Sequence, residues 1–310
     1  MTTPLSRGPG HDVLLESPDV TLARWSLGLT LYLDEPFVWA SEGAAALLAR
    51  YLEVAPVDRL AWYTTSMLPD WHRFTPRTTE GLLRSLSVPW SEVRVRHLFT
   101  FRLVDDLGAP EVGFFYKEID EARGRRGFLQ LLLPPSHDPG DLLQLAQEIS
   151  ERWPVLSGVG GYMATWNEWL KSTAFWSLFR WSKRFLGLDI QDPDPMSWHV
   201  AEGLPGSNWL TLVGDKLAQK LELDVPALRQ RTWTQPIRVH ALRRATLVQA
   251  GSAPTLGDLN ALRYPAAYAE AARALEPCFV KEPPEYWGGF FEEKRTRLWL
   301  RRLVDPEALR

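Results

Sequence analysis

The groups from which this chain could build a reactive centre are six histidines, one cysteine and a few closely spaced carboxylates. A metal centre needs imidazole, thiolate or carboxylate ligands at short recurring spacings. His11, His72, His97, His137, His199 and His240 are never paired at such a spacing, and no H-x-x-x-H occurs. Cys278 follows Pro277 with no base beside it, so it reads as a packed thiol. Asp189, Asp192 and Asp194 alternate as calcium ligands do, but the glycine and closing glutamate of a calcium loop are missing. Pro193 and Pro195 make that stretch read as a solvated loop. Glu292-Glu293-Lys294, with Asp194 upstream, mimics the Glu-x-Lys of restriction-type nucleases, yet it falls on an amphipathic helix where that chemistry calls for a strand. No Gly-x-Ser-x-Gly elbow is present. Gly158, Gly160 and Gly161 lie inside a strand pattern and mark close backbone approach or a bulge, not a dinucleotide site. The sequence therefore predicts no catalytic residue, no metal and no cofactor.

Two other groups suit binding. Asp105, Asp106, Glu111, Glu118, Asp120 and Glu121 lie in or beside two consecutive hairpin turns, with Lys117 the one base between Asp105 and Glu121. Aspartates in turns often serve only local hydrogen bonds. As a cluster on one edge, these carboxylates would steer a basic partner. The second group is aromatic: Trp166, Trp169, Phe175, Trp176, Phe179 and Trp181, on a helix read from Ser172 to Leu186. Helical spacing puts Trp169 and Trp176 on one face, and that much ring surface reads first as core packing, then as a partner-facing patch or a sugar-stacking platform.

The elements that would hold these groups follow from periodicity. Thr21–Leu33 alternates apolar and smaller residues as a half-buried strand, and Ala40–Val54 has the spacing of a helix packed on it. A strand at Leu60–Thr65 and a helix at Thr75–Leu86 come next. Three strands are read at Val93–Val104, Val112–Ile119 and Gly127–Leu133, joined by hairpin turns. Asp138 and Pro139 open a helix ending before Pro154, and Val155–Thr165 returns as a strand. The C-terminal helix, from about Tyr286, carries Phe290, Phe291, Leu298 and Leu303 on its apolar side and Arg295, Arg301 and Arg302 on its outer face. The fold class is α+β: an antiparallel or mixed β-sheet with helices mainly packed on one face, in an order that admits two similar strand-helix halves. Residues 1–18 read as an N-terminal arm and 19–310 as a single domain, with a candidate subdomain break near 187–196.

Composition narrows the function. With 45% hydrophobic and 24% charged residues the chain is globular, and a net charge of −3 gives no footprint for direct nucleic-acid binding. Val13, Leu14 and Leu15 are too short a run for a secretory signal, and no window suits a membrane span, so a cytoplasmic location is expected.

The most specific text lies between Trp198 and Asn260. Gly203, Asn208, Trp209, Leu210, Thr211 and Gly214 form a Gly-x-x-x-x-Asn-Trp-Leu-Thr-x-x-Gly element, and Ala250, Gly251, Pro254, Gly257 and Asp258 an Ala-Gly-x-x-Pro-x-x-Gly-Asp element. This pattern resembles the type VI secretion immunity family, over most of residues 20 to 278. The resemblance implies a binding protein that neutralises a cognate effector toxin. With no export signal, a cytoplasm-acting nuclease is the expected toxin. In this stretch Asn208 is read as the cap of a helix starting at Trp209, and Asp258 as the cap of the helix after Gly257. The competing expectation is an enzyme or small-molecule-binding protein with a tryptophan-lined cleft, for which a deep pocket with convergent polar groups would speak.

Overall fold

The structure, a computed structural model, describes residues 13–17, 20–36, 43–66, 68–87, 99–286 and 291–309. The arm at residues 1–12, the helix start at 40–42, the strand start at 93–98 and Phe290 lie outside the described residues.

The described residues form an eleven-stranded sheet in which every pair of neighbours is antiparallel. Its elements, in chain order, are β1 (Val13–Ser17), β2 (Val20–Leu33), α1 (Gly43–Val54), β3 (Trp62–Thr65), β4 (Leu68–Arg73), α2 (Pro76–Ser87), β5 (Thr100–Val104), β6 (Gly113–Lys117), β7 (Phe128–Leu133) and α3 (Pro139–Arg152). The chain continues as β8 (Val155–Trp166), α4 (Lys171–Ser182), α5 (Pro193–Met196), β9 (Leu210–Gly214), α6 (Asp215–Lys220), α7 (Val225–Gln230), β10 (Ile237–Ala241), β11 (Ala245–Ala250), α8 (Ala266–Leu275) and α9 (Glu293–Leu300). Strand order is β10-β11-β9-β8-β2-β7-β6-β5-β3-β4, with β1 added to β2.

The two long strands β2 and β8 pair at the middle, from Ala23 opposite Trp166 to Leu33 opposite Val155. Their glycines permit the closeness. A Cβ on Gly158 would stand 2.7 Å from the Thr30 carbonyl oxygen, and one on Gly161, at φ +150°, 2.7 Å from Asn208 Oδ1.

Register defines the two faces. Phe114, Leu131, Leu29, Gly160, Leu210 and Gln249 form one row across the strands. Against it lie α1, through the Tyr51 ring 5.6 Å from Phe114, and α3, through Gln147, His240 and Gln249. Helix α3 is built as its sequence reads: Asp138 Oδ1 accepts from the Gly140 amide, Pro139 fills the first turn, and Leu142, Leu145, Ala146 and Ile149 are buried. The adjacent row on the opposite face is Arg102, Phe115, Gln130, Thr30, Val159, Thr211 and Val248. At its β9 end Ser207 and Asn208 close over it, Ser207 Oγ lying 3.1 Å from Thr211 Oγ1. At its β5–β7 end the row opens into a trough.

Three local readings change. Trp209 and Leu210–Gly214 do not start a helix: Leu210–Gly214 is β9, buried throughout between β8 and β11, and the helix starts at Asp215. Asn208 instead accepts from the Trp209 amide at 2.7 Å, and its own amide donates to Thr211 Oγ1. Asp258 does cap, but of a single 3-10 turn at Leu259–Ala261, while α8 begins after Pro265. Arg302 is no part of a wet basic face. It is 1% exposed, donates to the Leu186 carbonyl at 2.9 Å and lies over the Trp299 ring. Burial, opposed by Asp189, lowers its pKa to about 10.

Candidate functional site: a sheet trough beside an aromatic helix face

The trough is floored by alternate residues of three strands: Thr100, Arg102 and Val104 of β5, Phe115 and Lys117 of β6, and Phe128 and Gln130 of β7. Period-two alternation places all of them on the face opposite α1 and α3. Trp71 of β4 stands at its outer edge, the Asp106–Pro110 turn closes one end, and Thr165, Trp166, Glu168 and Asp192–Asp194 form the far wall. It encloses about 210 Å³, below the roughly 300–1,000 Å³ of small-molecule pockets.

Ion pairs fix its walls. Lys117 Nζ lies 2.5 Å from Asp194 Oδ1, and Lys171 Nζ 2.6 Å from Asp192 Oδ2 and 3.8 Å from Glu168. Burial disfavours the Lys171 charge, but Asp192 and Glu168 outweigh it and hold its pKa above the ordinary lysine value. Asp192 also caps α5 by accepting from the Asp194 amide. Of the three aspartates read as a solvated loop, Asp189 and Asp192 are thus buried, and Asp192 and Asp194 belong to the trough. Among the described residues no group of three or more His, Cys, Asp or Glu side chains could hold a metal ion.

The six carboxylates of the hairpin turns are not brought together. Consecutive turns of a meander lie at opposite ends of the shared strand, and here β6 separates Asp105, Asp106 and Glu111 from Glu118, Asp120 and Glu121 by about 17 Å. Asp105 and Glu111 are tied to Arg59 at 2.9 and 2.6 Å, and Asp105 also accepts from the Glu111 and Val112 amides. Glu118 is 1% exposed, bonded to the Tyr116 hydroxyl and the Ile119 amide. Asp120 is 3% exposed beside Arg123. Only Asp106, in the trough, and Glu121, at the other end, reach solvent appreciably.

The aromatic helix departs from its reading as core. Helix α4 buries Ala174, Phe175, Leu178 and Ser182, and Phe175 packs edge-on against Trp166 and Phe291. Trp176, on the outer face of α4, is 49% exposed, with Arg180 5.0 Å from its ring, and Trp169, in the 3-10 turn Glu168–Leu170 before the helix, is 67% exposed. The signal against a core reading is polar: Ser172, Thr173, Arg180 and Lys183 share the angular position of Trp176, which marks that face as the outer one. Arg102 and Trp71 carried no sequence signal, because only strand pairing brings them to one trough. Glu168, in the 3-10 turn Glu168–Leu170 that also carries Trp169, lines the trough.

An antiparallel sheet with helices packed on it, a trough at one end of the sheet and two exposed tryptophans are the features an α+β fold presents here. Residues 45–303 match the family model described as type VI immunity for VRR-NUC, so the chain belongs to that family. Its fold is that of the Pseudomonas aeruginosa T6SS protein PA0821, at a TM-score of 0.72 and 18% identity, covering 93% of this chain and 86% of that one. No curated protein matches the chain.

Proposed function

We propose that this chain is a cytoplasmic antidote that binds the nuclease domain of a type VI effector and occludes its active site. The family's description, immunity for VRR-NUC, supports the partner class. The observation that carries the binding mode is the exposure of Trp169 and Trp176: a solvent-facing pair of tryptophans is costly unless something covers it, and Trp is among the residues most enriched at binding hot spots. No helix among the described residues is long and apolar enough to cross a membrane, and a DNA-cutting toxin must be met where DNA is.

The small-molecule alternative has the right residue types, with Trp71 and Trp166 in the walls, but the trough volume suits one or two side chains of a protein partner better. Titrating the purified chain into its effector while following DNA cleavage tests the proposal. Cleavage should stop near one equivalent of wild type, and the Trp169→Ala, Trp176→Ala double variant should need a large excess. Undiminished cleavage with saturating wild type would refute it.

A further inference from the structure

We infer that the outer face of α4 docks on an acidic segment of the effector, one whose carboxylates reach Arg180 and Lys183 while an apolar side chain lies on Trp176. This rests on the immunity reading above and gives the chemistry of the effector surface that covers the exposed ring. Trp176, Arg180 and Lys183 stand at i, i+4 and i+7, so one stripe of the helix and its C-cap carries all three. Trp176 is 49% exposed, with the Arg180 guanidinium 5.0 Å from its ring. Lys183 Nζ lies 4.7 Å from the Phe179 ring, and the Arg295 guanidinium 5.5 Å from the same ring. Aromatic surface and positive charge thus occupy one patch.

The charge of Arg180 and Lys183 is not compensated from within. Neither side chain makes a hydrogen bond or ion pair among the described residues; each rests on a ring. The sequence holds no Asp or Glu from Trp169 to Leu188. Carboxylates that reach the neighbouring cations are already held there, Asp258 by Arg184 through two hydrogen bonds of 2.8 Å and Glu292 at 3.7 Å from Arg295. A ring attracts the cation over it but offers no oxygen to its N–H donors. Those donors fit carboxylates, and the tryptophan between helix and solvent fits an apolar side chain set among them. A polynucleotide fits less well, because binding its phosphates takes a run of cations, and this patch has two uncompensated ones on a chain of net charge −3.

The test is the association and dissociation kinetics of the purified full chain with its effector across a salt series, with anisotropy of a labelled single-stranded oligonucleotide added to the chain alone. The Arg180→Glu, Lys183→Glu double variant should associate about 10-fold more slowly at low salt, and the gap should narrow as salt screens the charges. Arg180→Lys, which keeps the charge, should associate as wild type does. Trp176→Ala should dissociate faster with the salt dependence unchanged. Melting curves check the fold, and Arg180→Glu alone, at an exposed position, should show the same loss at smaller size if the double variant unfolds. Wild-type kinetics in the reversal variants, or faster association, which would put a basic effector surface opposite α4, overturns the inference while leaving immunity standing. Oligonucleotide binding by wild type that the double variant loses also overturns it, by giving the patch to nucleic acid. A wild type that does not bind the effector at all overturns the immunity reading, and the inference with it.

Discussion

Trp209 and Trp169 are the same residue type, forty positions apart, and their environments assign them opposite roles. Trp209 is 1% exposed between sheet and loop, its Nε1 donating to the Gly251 carbonyl at 3.1 Å. Trp209→Ala should therefore cost about 3–5 kcal/mol, read as a lowered denaturant midpoint. Trp169→Ala should leave stability within about 0.5 kcal/mol and weaken effector binding by more than about 1 kcal/mol. A melting temperature lowered by Trp169→Ala would show that ring to be structural. Arg59 is the third instructive residue. It compensates two carboxylates, Asp105 and Glu111, whose side chains are 7% and 4% exposed. Arg59→Ala should destabilise by about 2–4 kcal/mol in urea unfolding, less than a fully buried pair because Arg59 is itself 37% exposed. A change near zero would mean that water reaches both carboxylates.

At the scale of elements, periodicity located β2, α3, β8, β6 and β7 to within a few residues, and the C-terminal ends of α1 and β5, since each has an apolar face. It failed where no face alternates. Leu210–Gly214 is buried on both sides as a central strand, and so short a run after Asn208 and Trp209 fits a helix start equally well. Strand β4, LPDWHR, and strand β10, IRVHA, lie at the two ends of the sheet and carry mostly polar or exposed residues, so neither announced itself. The hairpin turns were legible, but not that consecutive turns point to opposite ends, so the acidic edge dissolved. One loop-to-helix clamp is testable by pH. Arg184 of the turn after α4 holds Asp258 through two hydrogen bonds of 2.8 Å, which keeps that carboxyl below its ordinary value of 3.8. A depressed carboxyl stabilises the fold above its unfolded pKa and loses that contribution as pH falls through the folded one. Asp258→Asn should cost about 1 kcal/mol at pH 7, a gap that closes as pH is lowered below about 4. A gap constant with pH would remove the ion pair as its cause.

Across the whole molecule, β8 and β9 pair although residues 187–196 lie between them in sequence, so a break there would split one sheet. We expect a single unfolding transition, with tryptophan fluorescence and far-UV circular dichroism coinciding, and two separated midpoints would instead mark two subdomains. The central claim is that this chain neutralises a nuclease inside the cell. Its most direct measurement is survival when the neighbouring effector gene is expressed in the cytoplasm with and without this chain. The account predicts full rescue by the wild-type chain retained in the cytoplasm, and loss of rescue with the Trp169→Ala, Trp176→Ala double variant at equal protein level. Death despite abundant wild-type chain, or rescue only when the chain is exported to the periplasm, would contradict it.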